Sequence, residues 1–297
     1  MKLLAPWLTI ALLAGCSASY PTQSIVLNSG NSASLLSVNV PNPTAAQKAE
    51  PVVITAHGYG ATTFETSEVA NYLSQNGVLV SQVLLGAHGT NIQDFANSNW
   101  KIWQAPMLTE YNTLVAKGYS DISVLGTSTG GTLWLEALSR GVLNPPPKRI
   151  VLVDALVDFD NHEAGYAGIL PWFGIDYRDT NPQGASIGNW YRYDPASTIV
   201  SLVDVAEIVK EDLKNGIQLP SSSKVLAIQA TGDPTVDPVS VDLIDQGLHG
   251  APVTVDKVDS DMHIPIWPDG VDGHAFTQQE NDLRNQLLQQ IQQFVIS

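Results

Sequence analysis

The amino-acid sequence predicts an α/β fold: a doubly wound, mostly parallel sheet carrying one inserted cap. Two patterns predict it. From Pro51 onward, short continuous apolar runs alternate with stretches of helical period, and that rhythm is interrupted once, at about 159–223. Apolar residues make up 44% of the 297 positions and charged residues 14%, which is enough apolar material for a large core and too little charge for a disordered chain.

At the start of the chain, Met1-Lys2 leads into an apolar stretch from Leu3 to Leu13, the length of a signal-peptide core and too short to span a bilayer. It closes in Leu13-Ala14-Gly15-Cys16, a string that resembles the lipobox of bacterial lipoproteins. The resemblance implies removal of residues 1–15 as a signal peptide, lipidation of Cys16 by acyl chains such as palmitate, and a tether over 16–23. Each buried acyl methylene adds about 0.8 kcal/mol of membrane affinity, so the expected location is the bacterial cell envelope, anchored to a membrane surface. Ser17, where inner-membrane lipoproteins carry aspartate, points to the outer membrane of a double-membraned cell. Cys16 is the single cysteine, so no disulfide is expected in the rest of the chain.

The remaining domain, 24–297, opens with two strand-like runs at 24–27 and 34–38 separated by a Gly/Asn/Ser cluster, which reads as a β-hairpin. Buried parallel strands follow at 52–56, 78–83, 122–125, 150–153, 225–228 and 253–255, with helices expected at about 65–75, 105–117, 129–140, 237–247 and 277–294. The cap falls between the sixth and seventh strands. It concentrates Trp172, Phe173, Tyr177, Trp190, Tyr191 and Tyr193, and a structureless loop of its length is improbable in a compact domain, so 197–214 is expected to be helical. The rings serve either as the cap's own small core or as the lining of an acyl pocket.

Directly after the strand at 122–125 comes Gly126-Thr127-Ser128-Thr129-Gly130-Gly131, and directly after that an apolar-periodic helix. A serine on such a sharp strand-to-helix turn adopts strained backbone angles, and the flanking glycines let strand and helix pass without a Cβ between them. Ser128 is thereby presented at the carboxyl end of the sheet as a nucleophile, beside the amino end of a helix. An attacked carbonyl becomes an oxyanion, which needs N–H groups already aimed at it. Thr129 N–H, next after the nucleophile, is one. Tyr59 N–H, in His57-Gly58-Tyr59-Gly60 after the strand at 52–56, is the other, and His57 reads as a structural hydrogen-bonding residue.

The serine needs a histidine base, and the base needs a carboxylate. In the chain order expected for this elbow the base follows the last strand, which favours His263 and leaves His274 as the alternative. His249 reads as a helix-ending residue; His88 and His162 precede the acid and are taken as structural or surface. For the carboxylate, Asp233 follows the strand at 225–228 with no structural reason to be acidic, whereas Asp237 precedes a proline and reads as a helix cap. Asp154, after the strand at 150–153, is a third candidate.

These residues resemble the α/β-hydrolase superfamily, and within it the bacterial carboxylesterase and monoacylglycerol-lipase-like group. His57-Gly58-Tyr59-Gly60 is similar to that group's HGF-type oxyanion motif, Gly86-Ala87-His88-Gly89-Thr90 to its GHGT loop, and Trp100-Lys101-Ile102-Trp103 to its paired-tryptophan stretch. Tyr193-Asp194-Pro195 and the run from Asp233 to Pro238 resemble its connection from cap to acid. The resemblance implies a Ser128–Asp233–His263 triad cleaving carboxylic esters through an acyl-enzyme. It departs at Met262, where the group has a small residue before the histidine, and in the longer run from His263 to the last helix.

Other classes fare worse. A net charge of −15 repels nucleic acid, and no uninterrupted apolar window is long enough for a spanning helix. Ser221-Ser222-Ser223-Lys224 matches an SxxK string without its companions and reads as a polar lead-in to a strand. No dinucleotide fingerprint follows a strand and no metal-ligand spacing occurs, so no cofactor and no metal are implied. The expected partner is a small-molecule ester or lipid. The alternatives are a serine peptidase or acyltransferase on the same fold, or a catalytically inactive surface-binding lipoprotein.

Overall fold

The computed structural model describes residues 42–159 and 177–297. The signal stretch, Cys16, the tether, the hairpin at 24–38, and His162, Trp172 and Phe173 of the cap lie outside the described residues.

Six strands, β1 (Val52–Ala56), β2 (Leu79–Val83), β3 (Ile122–Thr127), β4 (Arg149–Val153), β5 (Lys224–Ala230) and β6 (Val253–Val258), form one sheet in the order β6-β5-β4-β3-β1-β2. Every pairing is parallel. Both faces are covered, which is why β1 is buried along its whole length and reads in the sequence as a continuous apolar run. Successive side chains go to opposite faces. Val53, Leu125, Val151 and Leu226 pack under α1 (Ser67–Gln75) and α6 (Gln278–Ile296), whereas Val52, Ile54, Val124 and Ile150 pack under the helices of the other face. Those helices are α2 (Trp100–Lys117), α3 (Thr129–Ser139), α4 (Ala196–Asn215) and α5 (Val239–Gly247).

The helix expected from 105 starts five residues earlier, at Trp100, where the Asn99 side chain accepts from the amides of Lys101 and Ile102. Pro106 lies inside α2. Its missing N–H leaves the Ile102 carbonyl without a helical donor, and the chain at Gly86 closes on that carbonyl. A Cβ at Gly86 would come within 2.1 Å of Ile102 O, while Gly86 N–H donates to Trp103 O at 3.1 Å.

Between β4 and β5, Tyr177–Asp179 pairs antiparallel with Tyr193–Pro195, and α4 follows, close to the helix expected at 197–214. α4 docks on the start of α2: Trp100 N–H donates to Ser201 Oγ at 2.8 Å, and Trp100 Nε1 to Asp204 at 2.9 Å. Among the described residues, no helix is long and apolar enough to cross a membrane.

The close approach at Gly86 generates a prediction. Gly86→Ala should lower unfolding stability by about 3 kcal/mol in urea titration, because the new methyl group meets backbone rather than a movable side chain. Gly77→Ala, at φ +80° with no atom within 4 Å of its Cβ, should cost less.

Candidate active site

β1 pairs with β2 on one side and with β3 on the other, so the loops leaving β1 and β3 diverge at the point where strand order reverses. Crevices at the carboxyl ends of strands form there. Ala56 stands opposite Gly126, so His57-Gly58-Tyr59-Gly60 and Thr127-Ser128-Thr129 leave the sheet side by side.

Ser128 sits at φ 45°, ψ −120°, outside the ordinary regions for a residue with a side chain. The elbow is clamped in that state. Ser128 N–H donates to Val153 O at 3.0 Å, and its carbonyl accepts from Gly131, Thr132 and Leu156. A Cβ at Gly126 would lie 2.4 Å from Gly131 N, and one at Gly130 would lie 2.2 Å from Ala56 O, so both positions require glycine. Thr129 opens α3, and its amide makes no intramolecular hydrogen bond among the described residues.

The loops after β4, β5 and β6 bring the remaining groups. His263 Nδ1 lies 2.8 Å from Asp233 Oδ2. Asp233 Oδ1 accepts from Thr235 N–H at 2.8 Å and Val236 N–H at 3.0 Å, which fixes the carboxylate in its turn. Asp237, expected to cap α5, lies one residue before its N-cap Pro238 and accepts from Val239 N–H at 2.9 Å. Asp154, at φ 45° and fully buried, does not bond the imidazole. Its Oδ1 accepts from Ala230 N–H at 2.7 Å and its Oδ2 from Ile264 N–H at 2.8 Å, so it joins the loop carrying His263 to the end of β5. Asp154, Asp233 and His263 each place one ligand-type atom within 4.8 Å of the others. Since every one of those carboxylate oxygens already accepts an N–H group, hydrogen bonding accounts for the cluster without an ion.

Burial works to lower the His263 pKa, but the charge of Asp233, its hydrogen bond, and the fields of Asp154 and Glu65 outweigh burial and raise it above the ordinary histidine value. Asp154 is pushed up to about 7, by burial first and then by the Asp233 charge.

Glu65 belongs to the short 3₁₀ turn Thr63–Thr66 and is 2% exposed. Sequence reasoning missed it. An acid just ahead of α1 looks like an ordinary first-turn acid, and nothing local shows that its carboxyl turns inward. Oε1 accepts from Gly58 N–H at 2.7 Å and from the Thr127 hydroxyl, and burial pushes its pKa up to about 7.

His57 makes structural hydrogen bonds within and beside the loop that follows β1. Leu85 N–H donates to Nε2 at 3.1 Å, so Nδ1 carries the proton and donates to Gly58 O at 2.9 Å. Burial lowers its pKa to about 4, keeping it neutral. His88 is buried against Phe95 and Trp103. His274 pairs with Glu280 at 2.9 Å, and the exposed His249 follows α5. Neither lines the cavity that holds Ser128 and His263.

That cavity, about 440 Å³, is lined by Tyr59, Glu65, Ser128, Thr129 and His263 at its base. Leu156, Phe159, Ile199 and Leu202 contribute aliphatic and aromatic surface, and Trp190, Tyr191 and Trp267 contribute further rings. Arg178, Thr180, Asn181, Gln183, Asp194 and Asp272 supply polar groups. The cap aromatics divide: Trp190 and Tyr191 line the cavity, whereas Tyr177 and Tyr193 pack on each other at 5.0 Å.

No family model matches the chain. Among solved structures it is similar to a metagenome-derived lipolytic enzyme, with a TM-score of 0.64 at 18% identity over 83% of this chain and 94% of that one. A soluble variant of monoglyceride lipase from Saccharomyces cerevisiae matches with a TM-score of 0.64 at 13% identity, over 86% of this chain and 88% of that one. A monoacylglycerol lipase from Paleococcus ferrophilus matches with a TM-score of 0.57 at 12% identity, over 83% and 96%. At these identities the likeness is one of fold, and the fold is that of the α/β-hydrolases.

The electrostatics of His263 can be checked without any substrate. Asp233→Asn removes the largest raising influence and leaves burial in place, so the His263 pKa, read by NMR titration of its ring protons, should fall below the ordinary histidine value.

Proposed function

We propose that the chain is a serine hydrolase that cleaves carboxylic esters of small molecules or lipids through an acyl-enzyme, using only its own side chains and backbone. The observation that carries the reading is the shared cavity: a serine held on a positive-φ elbow and an imidazole anchored to a buried carboxylate line the same space.

With Nδ1–H donating to Asp233, the imidazole Nε2 keeps its lone pair for the proton of Ser128 Oγ. Ser128 attacks the acyl carbonyl, His263 becomes imidazolium, and the amides of Tyr59 and Thr129 hold the oxyanion. Collapse returns the proton to the leaving alcohol. Water then repeats the sequence on the acyl-enzyme and frees the acid. Asp233 orients the ring and stabilises its charged form, while Asp154 keeps the His263 loop in register from below.

The ester class is supported by the names of the structural neighbours, a lipolytic enzyme and two monoacylglycerol-type lipases, and by the Leu156, Phe159, Ile199 and Leu202 surface available to an acyl group. We further propose that Cys16 is acylated and tethers the enzyme to the bacterial envelope, the outer membrane where there are two. Palmitate labelling of the full chain should be lost in Cys16→Ser.

The decisive assay is hydrolysis of short-chain nitrophenyl esters. Ser128→Ala should reduce kcat by about 10⁴-fold or more, with the fold retained by circular dichroism. Matched esters and amides distinguish this reading from a serine peptidase, for which the amide rate would be comparable. The rate should also fall on acidification. Because His263 is held above the usual histidine pKa, the acid limb should lie above about 6.5, and protonation through it removes the base.

A further inference from the structure

The Thr63–Thr66 turn carries an ionisable side chain, Glu65, into the wall of the cavity, and the mechanism above gives it no task. Gly58, whose N–H donates to Oε1, immediately precedes the oxyanion donor Tyr59. Thr127, whose hydroxyl donates to the same oxygen, immediately precedes Ser128. A single carboxyl oxygen thus joins the two loops that must cooperate. The turn presenting it is braced from below: Gln82 Nε2 donates to Thr63 O at 3.0 Å and to Thr66 Oγ1 at 3.2 Å. The other oxygen, Oε2, makes no hydrogen bond among the described residues. A Cβ at Gly58 would lie 3.0 Å from Oε2 and 3.2 Å from Ser128 Cβ, so Oε2 and the nucleophile flank the same glycine.

Resting on the ester-hydrolase reading, we propose that Glu65 is a positioning residue that works as a neutral carboxylic acid, tying the oxyanion loop to the nucleophile elbow, and that loss of its proton slows the chemical step. A neutral acid offers a rigid acceptor to Gly58 and Thr127 without adding charge. A carboxylate at the same place would set a negative charge beside the amides that receive the developing oxyanion, raising the barrier.

The surroundings favour the neutral form. Burial is the largest influence on Glu65 and pushes it up to about 7, against the Thr127 and Gly58 hydrogen bonds and the charge of His263, which pull it down. His263 is the charged group that acts on it across the cavity. His57, on the adjoining loop, is kept neutral by burial, and Arg178 and Asp194, also on the cavity wall, pair with each other at 2.8 Å. From β2 the facing side chain is Gln82, which does not titrate. The sign follows: below about 7 the acid form predominates, and above it the carboxylate forms and kcat falls. His263 sets the acid limb and Glu65 the alkaline one.

The test compares the wild type, Glu65→Gln and Glu65→Ala in kcat and KM for a nitrophenyl ester from pH 5 to 9, with phosphonate labelling of Ser128 in parallel. Gln keeps an acceptor oxygen and cannot ionise, whereas Ala removes the acceptor. The expected result is an alkaline decline in wild-type kcat that is missing in Glu65→Gln, and a loss of about 10-fold or more in kcat for Glu65→Ala with KM changed little. Glu65→Gln should recover most of the rate lost in Glu65→Ala. An active wild type with the same alkaline limb in Glu65→Gln, or a Glu65→Ala variant with wild-type kcat, overturns the inference and leaves the hydrolase reading standing. A wild type that neither turns over the ester nor is labelled at Ser128 overturns both.

Discussion

The first turn of α3 lies against the end of β1 at a separation that admits no side chain, and the whole site depends on that approach. At Gly130 a Cβ would meet Ala56 O at 2.2 Å and His57 O at 2.7 Å. Because the two backbones touch there, the loop after β1 and the elbow after β3 cannot move independently, and the amides of Tyr59 and Thr129 are held in one frame with Ser128. The positive φ of Ser128 costs on the order of 1–2 kcal/mol and persists because hydrogen bonds at its own N–H and carbonyl over-determine it. In the proposed reaction, strain of this kind aims the hydroxyl in advance, so no reorganisation is needed when charge develops.

Around that frame the protein gathers three carboxyl groups whose fields all favour a charged His263. Their roles differ because their hydrogen bonds differ. Asp233 gives one oxygen to the imidazole and the other to two backbone amides. Asp154 gives both oxygens to backbone and none to the ring, so it acts as a strut whose charge is a by-product. Burial alone pushes Glu65 up to about 7, whereas Asp154 reaches about 7 through burial together with the charge of Asp233.

How much of this was legible in the sequence varies with how local the cause is. Five of the six strands could be read as buried because two covered faces demand continuous apolar runs, whereas β6, expected to be buried at 253–255, lies at the sheet edge with only Val258 buried; the elbow could be read because a glycine on either side of Ser128 has a local steric reason. The acid and base were narrowed by strand order alone. The structure brings Asp233 and His263 together and leaves His274 on Glu280. α2 starts five residues before the expected 105 because Asn99 caps it and Pro106 is accommodated inside it, with Gly86 closing on the carbonyl that the proline frees. Glu65 was invisible for the complementary reason: its importance comes from partners at Gly58 and Thr127, and a spacing of 62 residues from the second leaves no pattern to find.

The same distinction explains why the cap cannot be treated as a lid laid over a finished site. Tyr191 N–H donates to Gly60 O at 2.9 Å, in the loop that follows β1, while its hydroxyl donates to Ala87 O at 3.0 Å and accepts from Thr90 N–H at 3.0 Å. Its ring stacks on Phe95 at 4.5 Å, and Phe95 in turn packs against Tyr59. Tyr59 closes the circuit through its hydroxyl, which bonds Thr198 on α4. Gly60 and Tyr59 are thus held from the cap side as firmly as Gly58 is held from the sheet side by Glu65. A change in the cap that tilts α4 or displaces Tyr191 therefore reaches the Tyr59 amide through backbone, without touching Ser128 or His263. The part of the chain that shapes the cavity is also part of what positions the Tyr59 amide, so in the proposed reaction substrate fit and chemistry are mechanically linked.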